Sequence, residues 1–310
     1  MRFRCLCHDY FERGIYMITL EVEGRRPLLG SLSGETVIPT PLGEEVAACW
    51  KKIPFFHPEI SLLEHIVMPD HFHGLLFIRR RMARHLGEVV RGFKVGCTKA
   101  YRAMYGATPD MPTALFSPGY HDRILTSKGQ LATLHRYIRD NPRRLAVRRA
   151  HPDYFTRINS ICLAGQSFAA YGNPFLLNRP ERLRIQCSRR ITPDDLNREE
   201  SRLLQAAEGG AVLVSPCISP GEKQIARTAL DAGMPLIALV ENGFAPRYKP
   251  PGKYFDACAS GRLLLLAPWP YHADRRAITR LQCLALNQMA ADICAPETAA
   301  LDCSALQPRV

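Results

Sequence analysis

The chain has no Cys-x-x-Cys pair, no repeated or low-complexity segment, and no apolar run approaching the roughly 20 residues of a membrane span. Its longest apolar runs, such as 263–267 (LLLLA), have the length of buried strands. The opening residues, MRFRCLCHDYFERG, are basic but hold no continuous apolar region, so no signal peptide is expected. Eleven cysteines, an odd number, are scattered from Cys5 to Cys303, and the tightest spacing is Cys5-Leu6-Cys7. Scattered, odd thiols disfavour a disulfide framework and a Cys-rich zinc site; a cytoplasmic location and no membrane partner are the expectation. With 310 residues, 46% of them hydrophobic, the chain can fill more than one core, and two domains are expected.

Acidic residues are scarce in one place. From Arg79 to Arg149, 16 Lys or Arg stand against 4 Asp or Glu, whereas the remainder holds 25 of each. The whole excess of +12 therefore lies within this segment. A solvated helix face would explain it, and so would a surface for a polyanion, nucleic acid first.

Periodicity gives the layout. Residues 14–23 (GIYMITLEVE) read as a strand, with 28–32 as its returning partner after Arg26-Pro27. Thr40-Pro41 opens a helix with Glu44 and Glu45 in its first turn. Two strands, 60–67 and 71–78, flank a Met68-Pro69-Asp70 turn. An amphipathic helix spans 86–105, a short strand 120–125, and a helix 130–140 that Pro142 should end. This order predicts an α+β antiparallel sheet with backing helices over residues 1–156, the ferredoxin- or RRM-like palm arrangement. Residues 157–190 read as a connector containing a strand or two. Over 191–310, helices at 192–207 and 220–232 alternate with apolar strands at 211–215, 235–240 and 262–267. That alternation predicts a smaller, Rossmann-like, doubly wound α/β domain.

Two motifs carry chemistry. In "VMPDHFHGLLF" (67–77) a strand's period of two puts His71, His73, Leu75 and Phe77 on one face and Phe72, Gly74, Leu76 and Ile78 on the other. Neighbouring imidazoles can share one divalent metal or merely complete hydrogen bonds, and the spacing alone leaves both open. In "LHRYIRDNPRR" (134–144), Tyr137 and Asn141 stand four residues apart on one helix face, where packing and end-capping would also account for them.

Taken in order, "GIYMITLEV", "VMPDHFHGLLF", "LGEVVRGFKVGCTKAYR" and "YHDRILTSKGQLATLHRYIRDNP" resemble the REP-associated tyrosine transposases of the HUH superfamily, over about residues 8–150. Asp70 departs from the family's more frequent Asn, and "LFSPGY" stands where Trp-Gln-Arg is common. The resemblance implies a DNA strand transferase that cleaves and rejoins hairpin-bearing single-stranded DNA. Tyr137 would be the nucleophile, leaving a 5′-phosphotyrosine; His71, His73 and Asn141 would ligate Mg²⁺ or Mn²⁺. It further implies phosphate contacts from Arg91, Lys94, Lys99, Arg102, Arg123, Arg136, Arg143 and Arg144. Phe93, Tyr101 and Tyr105 are available for base stacking or for the helix core. The working form would be a monomer or homodimer. An HUH nickase of replication-initiator or relaxase type, and a non-catalytic hairpin-binding regulator, are the alternatives.

Residues 187–290 loosely resemble the Rossmann-like domain of the DNA-processing protein DprA, without its glycine-rich loop. In "SPCISPGEK" (215–223), Ser219 and Glu222 form a capping-box pattern, and the same helix start could instead hold a phosphate. This half is thus read as an accessory DNA-binding or an architectural unit.

Overall fold

The structure is a computed structural model that describes residues 8–106, 112–127, 129–246, 248–274 and 276–295. The Cys5–Cys7 spacing lies outside them. The chain divides into two compact units, 1–147 and 148–310. No helix among the described residues is long and apolar enough to cross a membrane.

The first unit begins with β1 (Gly14–Glu21), followed by a hairpin of β2 (Gly30–Ser33) and β3 (Thr36–Pro39). Then come α1 (Pro41–Lys51), a short α2 (Ile53–Phe56), β4 (Ile60–Met68), β5 (His71–Ile78), α3 (Leu86–Tyr105), β6 (His121–Leu125) and α4 (Gln130–Ala150). Four strands form an antiparallel sheet in the order β4-β5-β1-β6. Residues 28–32 do not return along β1 as expected. Both edges of β1 are already taken by β5 and β6, so the segment pairs with β3 around a two-residue turn at Gly34-Glu35.

Alternation along the strands separates two apolar layers. Tyr16, Ile18 and Leu20 of β1, with Phe72, Leu76 and Ile78 of β5, meet Val46 and Trp50 of α1 and Val89, Val90, Phe93, Cys97 and Tyr101 of α3. Met17 and Leu75, on the reverse face, meet Leu134 and Ile138 of α4. Thr40 caps α1, its hydroxyl accepting from the Gly43 amide at 3.2 Å. Gly74 has a specific reason: a Cβ there would stand 2.4 Å from the Trp50 indole.

Pro142 does not end α4, which continues to Ala150. A proline removes one donor, here the one for the Ile138 carbonyl, at a cost of about 3 kcal/mol. Asn141 and Pro142 are both buried, so tertiary packing holds the helix through the proline, and Asp140 binds Arg143 (2.6 and 3.1 Å) and Arg144 (3.7 Å) across it, adding about 0.2–0.5 kcal/mol per pair.

In the second unit, β7 (Arg157–Leu163), β8 (Gln166–Gly172) and β9 (Arg182–Arg184) precede α5 (Pro193–Glu208), β10 (Val212–Ser215), α6 (Pro220–Asp231), β11 (Leu236–Leu239), α7 (Lys253–Ala259), β12 (Leu263–Ala267) and α8 (Arg280–Cys294). The sheet order is β7-β8-β12-β11-β10-β9, with β9 to β12 parallel. Residues 157–190 therefore contribute three strands to this sheet. Their turn residues mark tight connections between strands; Ala164-Gly165, both at positive φ, closes the β7–β8 hairpin.

The doubly wound expectation is corrected in detail. Helices α5, α6 and α7 all pack on one face, and α8 packs on the other after the last strand. The parallel strands therefore run 9-10-11-12 without the order reversal that opens a nucleotide crevice. The α6 start is also self-filled. The buried Glu222 carboxylate accepts from the amides of Ile218 (2.8 Å), Ser219 (3.1 Å) and Cys187 (3.4 Å), while Ser219 Oγ accepts from the Glu222 amide. The capping explanation accounts for the motif, and these amides are not available to a phosphate.

Candidate functional site

The β1–β5 register places His71 opposite Glu21 and His73 opposite Thr19. All four residues share the sheet face that α4 covers, as do Met17 and Leu75. The two imidazole rings lie 4.8 Å apart, and both histidines are largely buried. The Tyr137 ring from α4 reaches this face, 5.8 Å from the His73 ring centroid to centroid. Leu134, one turn before, and Ile138, the next residue, anchor α4 on Met17 and Leu75 and so fix where Tyr137 arrives. Asn141, one turn further, is 6% exposed, and its side-chain Nδ2 donates to the Tyr137 carbonyl at 2.9 Å.

Hydrogen bonds orient the imidazoles. Asp70 Oδ1 lies 2.6 Å from His71 Nδ1. Arg25 donates to Asp70 Oδ2 at 3.0 Å and to Glu21 Oε1 at 2.5 Å, which makes a chain Glu21–Arg25–Asp70–His71. Burial pushes the Asp70 carboxyl up, but hydrogen bonding and charge from His71 and Arg25 outweigh it and hold it well below the usual carboxylate range. An ionised carboxylate only accepts, so His71 Nδ1 carries the proton and Nε2 keeps the ring lone pair. The Thr19 hydroxyl sits 2.8 Å from His73 Nδ1 and holds that ring in orientation.

These residues fit a divalent ion chemically. Two imidazole Nε2 atoms and the Asn141 Oδ1, whose amide nitrogen is engaged by the Tyr137 carbonyl, would offer a mixed nitrogen–oxygen donor set of the kind manganese accepts. Among the described residues, no cluster of three or more His, Cys, Asp or Glu side chains could hold a metal.

The expected DNA-contacting residues divide. Arg91, Lys94, Lys99 and Arg102 line a cleft of about 1080 Å³ between α3 and residues 112–120. Helix α3 covers the sheet face opposite the histidines, so these four are not brought to the pair. Lys94 donates to the carbonyls of Ser117 (2.6 Å) and Gly119 (2.9 Å), and burial pulls its ammonium pKa down. Arg102 donates to the Thr113 carbonyl at 2.6 and 3.2 Å. Lys94 and Arg102 thus hold the loop, while Arg91 and Lys99 stay exposed in the cleft. Arg136 is exposed on α4. Arg143 is bound to Asp140, and Arg144 lies 6.0 Å from the Tyr137 ring centroid with 12% of its side chain exposed.

Arg123 stands in register with Met17, and His121 with Thr19, which places both on the histidine face. Phe93 and Tyr101 are buried in the α3 core, while Tyr105 is exposed. Tyr120 packs on the α1–α3 side of the sheet, away from the histidines. Sequence reasoning missed Thr19, Glu21, Arg25 and His121, because only strand register and the Arg25 turn bring them to the site.

No family model matches the chain. An uncharacterized protein of Haemophilus influenzae is 24% identical over 155 residues, which are 44% of this chain and 83% of that protein. The UvrABC system protein C of Thermus thermophilus is 37% identical over 68 residues, 22% of this chain and 11% of that protein. Among solved structures, a REP-associated tyrosine transposase bound to a REP hairpin is similar at TM-score 0.35 and 16% identity, over 47% of this chain and 74% of that one. A Deinococcus radiodurans protein solved as a candidate transposase is similar at TM-score 0.30 and 16% identity, over 44% of this chain and 95% of that one. The structural likenesses are partial, and at these scores neither bears on what the chain does.

Proposed function

We propose that the chain cleaves and rejoins single-stranded DNA by transesterification at Tyr137, with His71, His73 and Asn141 holding Mg²⁺ or Mn²⁺. The observation that carries this reading is the approach of the Tyr137 ring to within 5.8 Å of His73, on the face where His71 and His73 stand side by side. A divalent ion bound there would polarise the scissile phosphate and offset its charge. The Tyr137 phenol oxygen bonds to phosphorus as the bond to the 3′-oxygen breaks, and the phenolic proton ends on that oxygen. The products are a 5′-phosphotyrosine and a free 3′-hydroxyl. The ester keeps the energy of the broken bond, so a 3′-hydroxyl reverses the step without ATP.

The chain's other residues position and neutralise. Asp70 holds the His71 imidazole in the ligating tautomer, Thr19 orients the His73 ring, and Arg144 sets a cation beside the tyrosine ring. The choice of hairpin-bearing single-stranded DNA as substrate rests on the resemblance of the four ordered segments and on the basic excess between Arg79 and Arg149.

The test is incubation with single-stranded hairpin DNA and Mn²⁺, looking for a covalent protein–DNA band in denaturing gels. Tyr137→Phe, which removes only the phenol oxygen, should lose the band and retain hairpin binding. Adducts that persist in Tyr137→Phe, or tight binding without any adduct in the unaltered chain, would overturn the assignment.

A further inference from the structure

Two of the three rings that sequence offers for base stacking are out of reach, since Phe93 and Tyr101 lie in the core under α3. A different pair stands open. Phe55 and Phe56, at the end of the short helix α2, are 83% and 68% exposed, and Phe55 is the most exposed large apolar side chain among the described residues. Ile53 is buried and pins this turn, so the rings that follow are held out to solvent at a fixed point. Their centroids stand 5.2 Å apart with perpendicular planes. Large apolar surface concentrated in this way marks a contact with another molecule.

The Phe56 ring also lines a cleft of about 840 Å³ between α1 and α3. Residues 92 and 96, one turn apart on α3, are glycines, which keeps the trough open along the helix. Its charged lining is Lys52, Arg84 and Lys99 against Glu45 and Glu88. Arg84 and Glu88 pair with each other at 3.3 Å, whereas Lys52 and Lys99 form no ion pair among the described residues, so the surplus is positive. His57 adds no charge at neutral pH, because burial pulls its pKa down. Lys99 lines this cleft and also the cleft between α3 and residues 112–120. The two clefts therefore flank α3 and share a cation.

We propose that the α1–α3 cleft is a second stretch of the path for single-stranded DNA, in which unpaired bases stack on Phe55 and Phe56 while Lys52 and Lys99 contact the phosphates. The inference rests on single-stranded DNA as the partner proposed above, and adds where the strand runs beyond the α3 cleft. Stacking on an aromatic ring tolerates any sequence, because every base has a π face. A duplex hides those faces inside its own stack, so the platform selects unpaired strand. Apolar rings alone would also suit a protein partner; the two unpaired lysines and the continuity with the basic cleft at Lys99 favour a polyanion.

The experiment measures binding of the full chain to a labelled oligothymidylate, with EDTA present so that no strand is cut, beside an abasic strand of the same length. The oligothymidylate should bind about 5- to 100-fold more tightly than the abasic strand, the range expected from base–aromatic stacking. Phe55→Ala and Phe56→Ala should narrow that gap without changing abasic binding or the melting temperature, since both rings are exposed, and Phe56→Trp should keep it. Phe55→Ala and Phe56→Ala chains that both retain the full gap overturn the proposal, even where covalent adducts at Tyr137 form. A gap that depends on the rings in a chain that forms no adduct supports the platform and removes only the Tyr137 reading. A chain that binds no single strand overturns both. Self-association at the binding concentrations that is lost in Phe55→Ala would make the rings a contact between copies, and likewise overturns the proposal.

Discussion

Gly74→Ala tests how the histidine strand is supported. The added methyl would meet three indole atoms of Trp50, at 2.4, 2.6 and 2.8 Å, where carbon atoms normally stop at about 3.5 Å. Trp50 cannot easily step aside, because it is fully buried with Phe72 and Phe93 rings at 5.1 and 5.4 Å. Overpacking of a tight core costs about 1–3 kcal/mol, and a clash with a wedged ring belongs at the upper end. A loss of about 2–3 kcal/mol lowers the melting temperature of a unit this size by roughly 5–10 °C. The measurement is a double-mutant cycle on thermal or urea unfolding with Trp50→Leu, which removes all three clashing atoms. Gly74→Ala should then cost less than about 1 kcal/mol, a coupling of about 1–2 kcal/mol. Strictly additive losses, or a Gly74→Ala chain that melts like the unaltered one, would refute the account of why glycine follows His73.

Neighbouring residues on β5 should answer oppositely. Phe72→Ala removes a fully buried ring and should cost about 3–5 kcal/mol, whereas His71→Ala, which gives up the Asp70 contact but no large apolar ring, should cost distinctly less and lose Mn²⁺ binding and cleavage; melting curves and manganese titrations on both decide it. In the second unit, the His272 ring contacts Glu241 Oε1 (3.0 Å) and the Asp274 carbonyl (2.9 Å), and the Glu241 bond is the main cause of its raised pKa. A raised pKa means the stabilisation is full below the unfolded histidine value of about 6.5 and is lost as pH climbs through the folded value. The melting gap between unaltered chain and Glu241→Gln should accordingly be wider at acidic than at alkaline pH, and a gap independent of pH would show that the contact carries no charge.

Much of the first unit was legible because its strands and helices announce themselves by period. The alternation in 71–78 separates the residues that do face α4 from those that pack on α1 and α3. What sequence does not carry is which edges remain open. Residues 28–32 have strand character, but β1 had no edge left for them. The same gap hid Thr19 and His121, which join the site only through register with His73 and with each other. Pro142 misled for a different reason. A local rule about one missing donor was outweighed by the tertiary packing of the buried Asn141 and Pro142, with a small addition from the Asp140 ion pairs. Among the basic residues, charge was readable but its use was not, since Lys94 and Arg102 are committed to loop carbonyls.

That division constrains how one DNA strand can meet both the α3 cleft and the histidine face. The two lie on opposite sides of the sheet, so a strand that uses both must pass around an edge. The cleft is walled by residues 112–120, which lead directly into β6, and β6 is the sheet's edge strand. Arg123 and His121 of β6 already face the histidine side, and two strand spacings, about 10 Å, separate β6 from β5. If the strand takes the route over β6, Arg123 lies on its path between the two sites. Replacing Arg123 or Arg91 by Gln should each flatten the slope of log K against log[salt] by about 0.7 on single-stranded DNA. Lys94→Gln should leave that slope unchanged and lower stability instead, because its ammonium serves the Ser117 and Gly119 carbonyls. Binding titrations across a salt series separate these outcomes. An unchanged slope for Arg123→Gln beside a flattened one for Arg91→Gln would mean that the DNA reaches the histidines by another path.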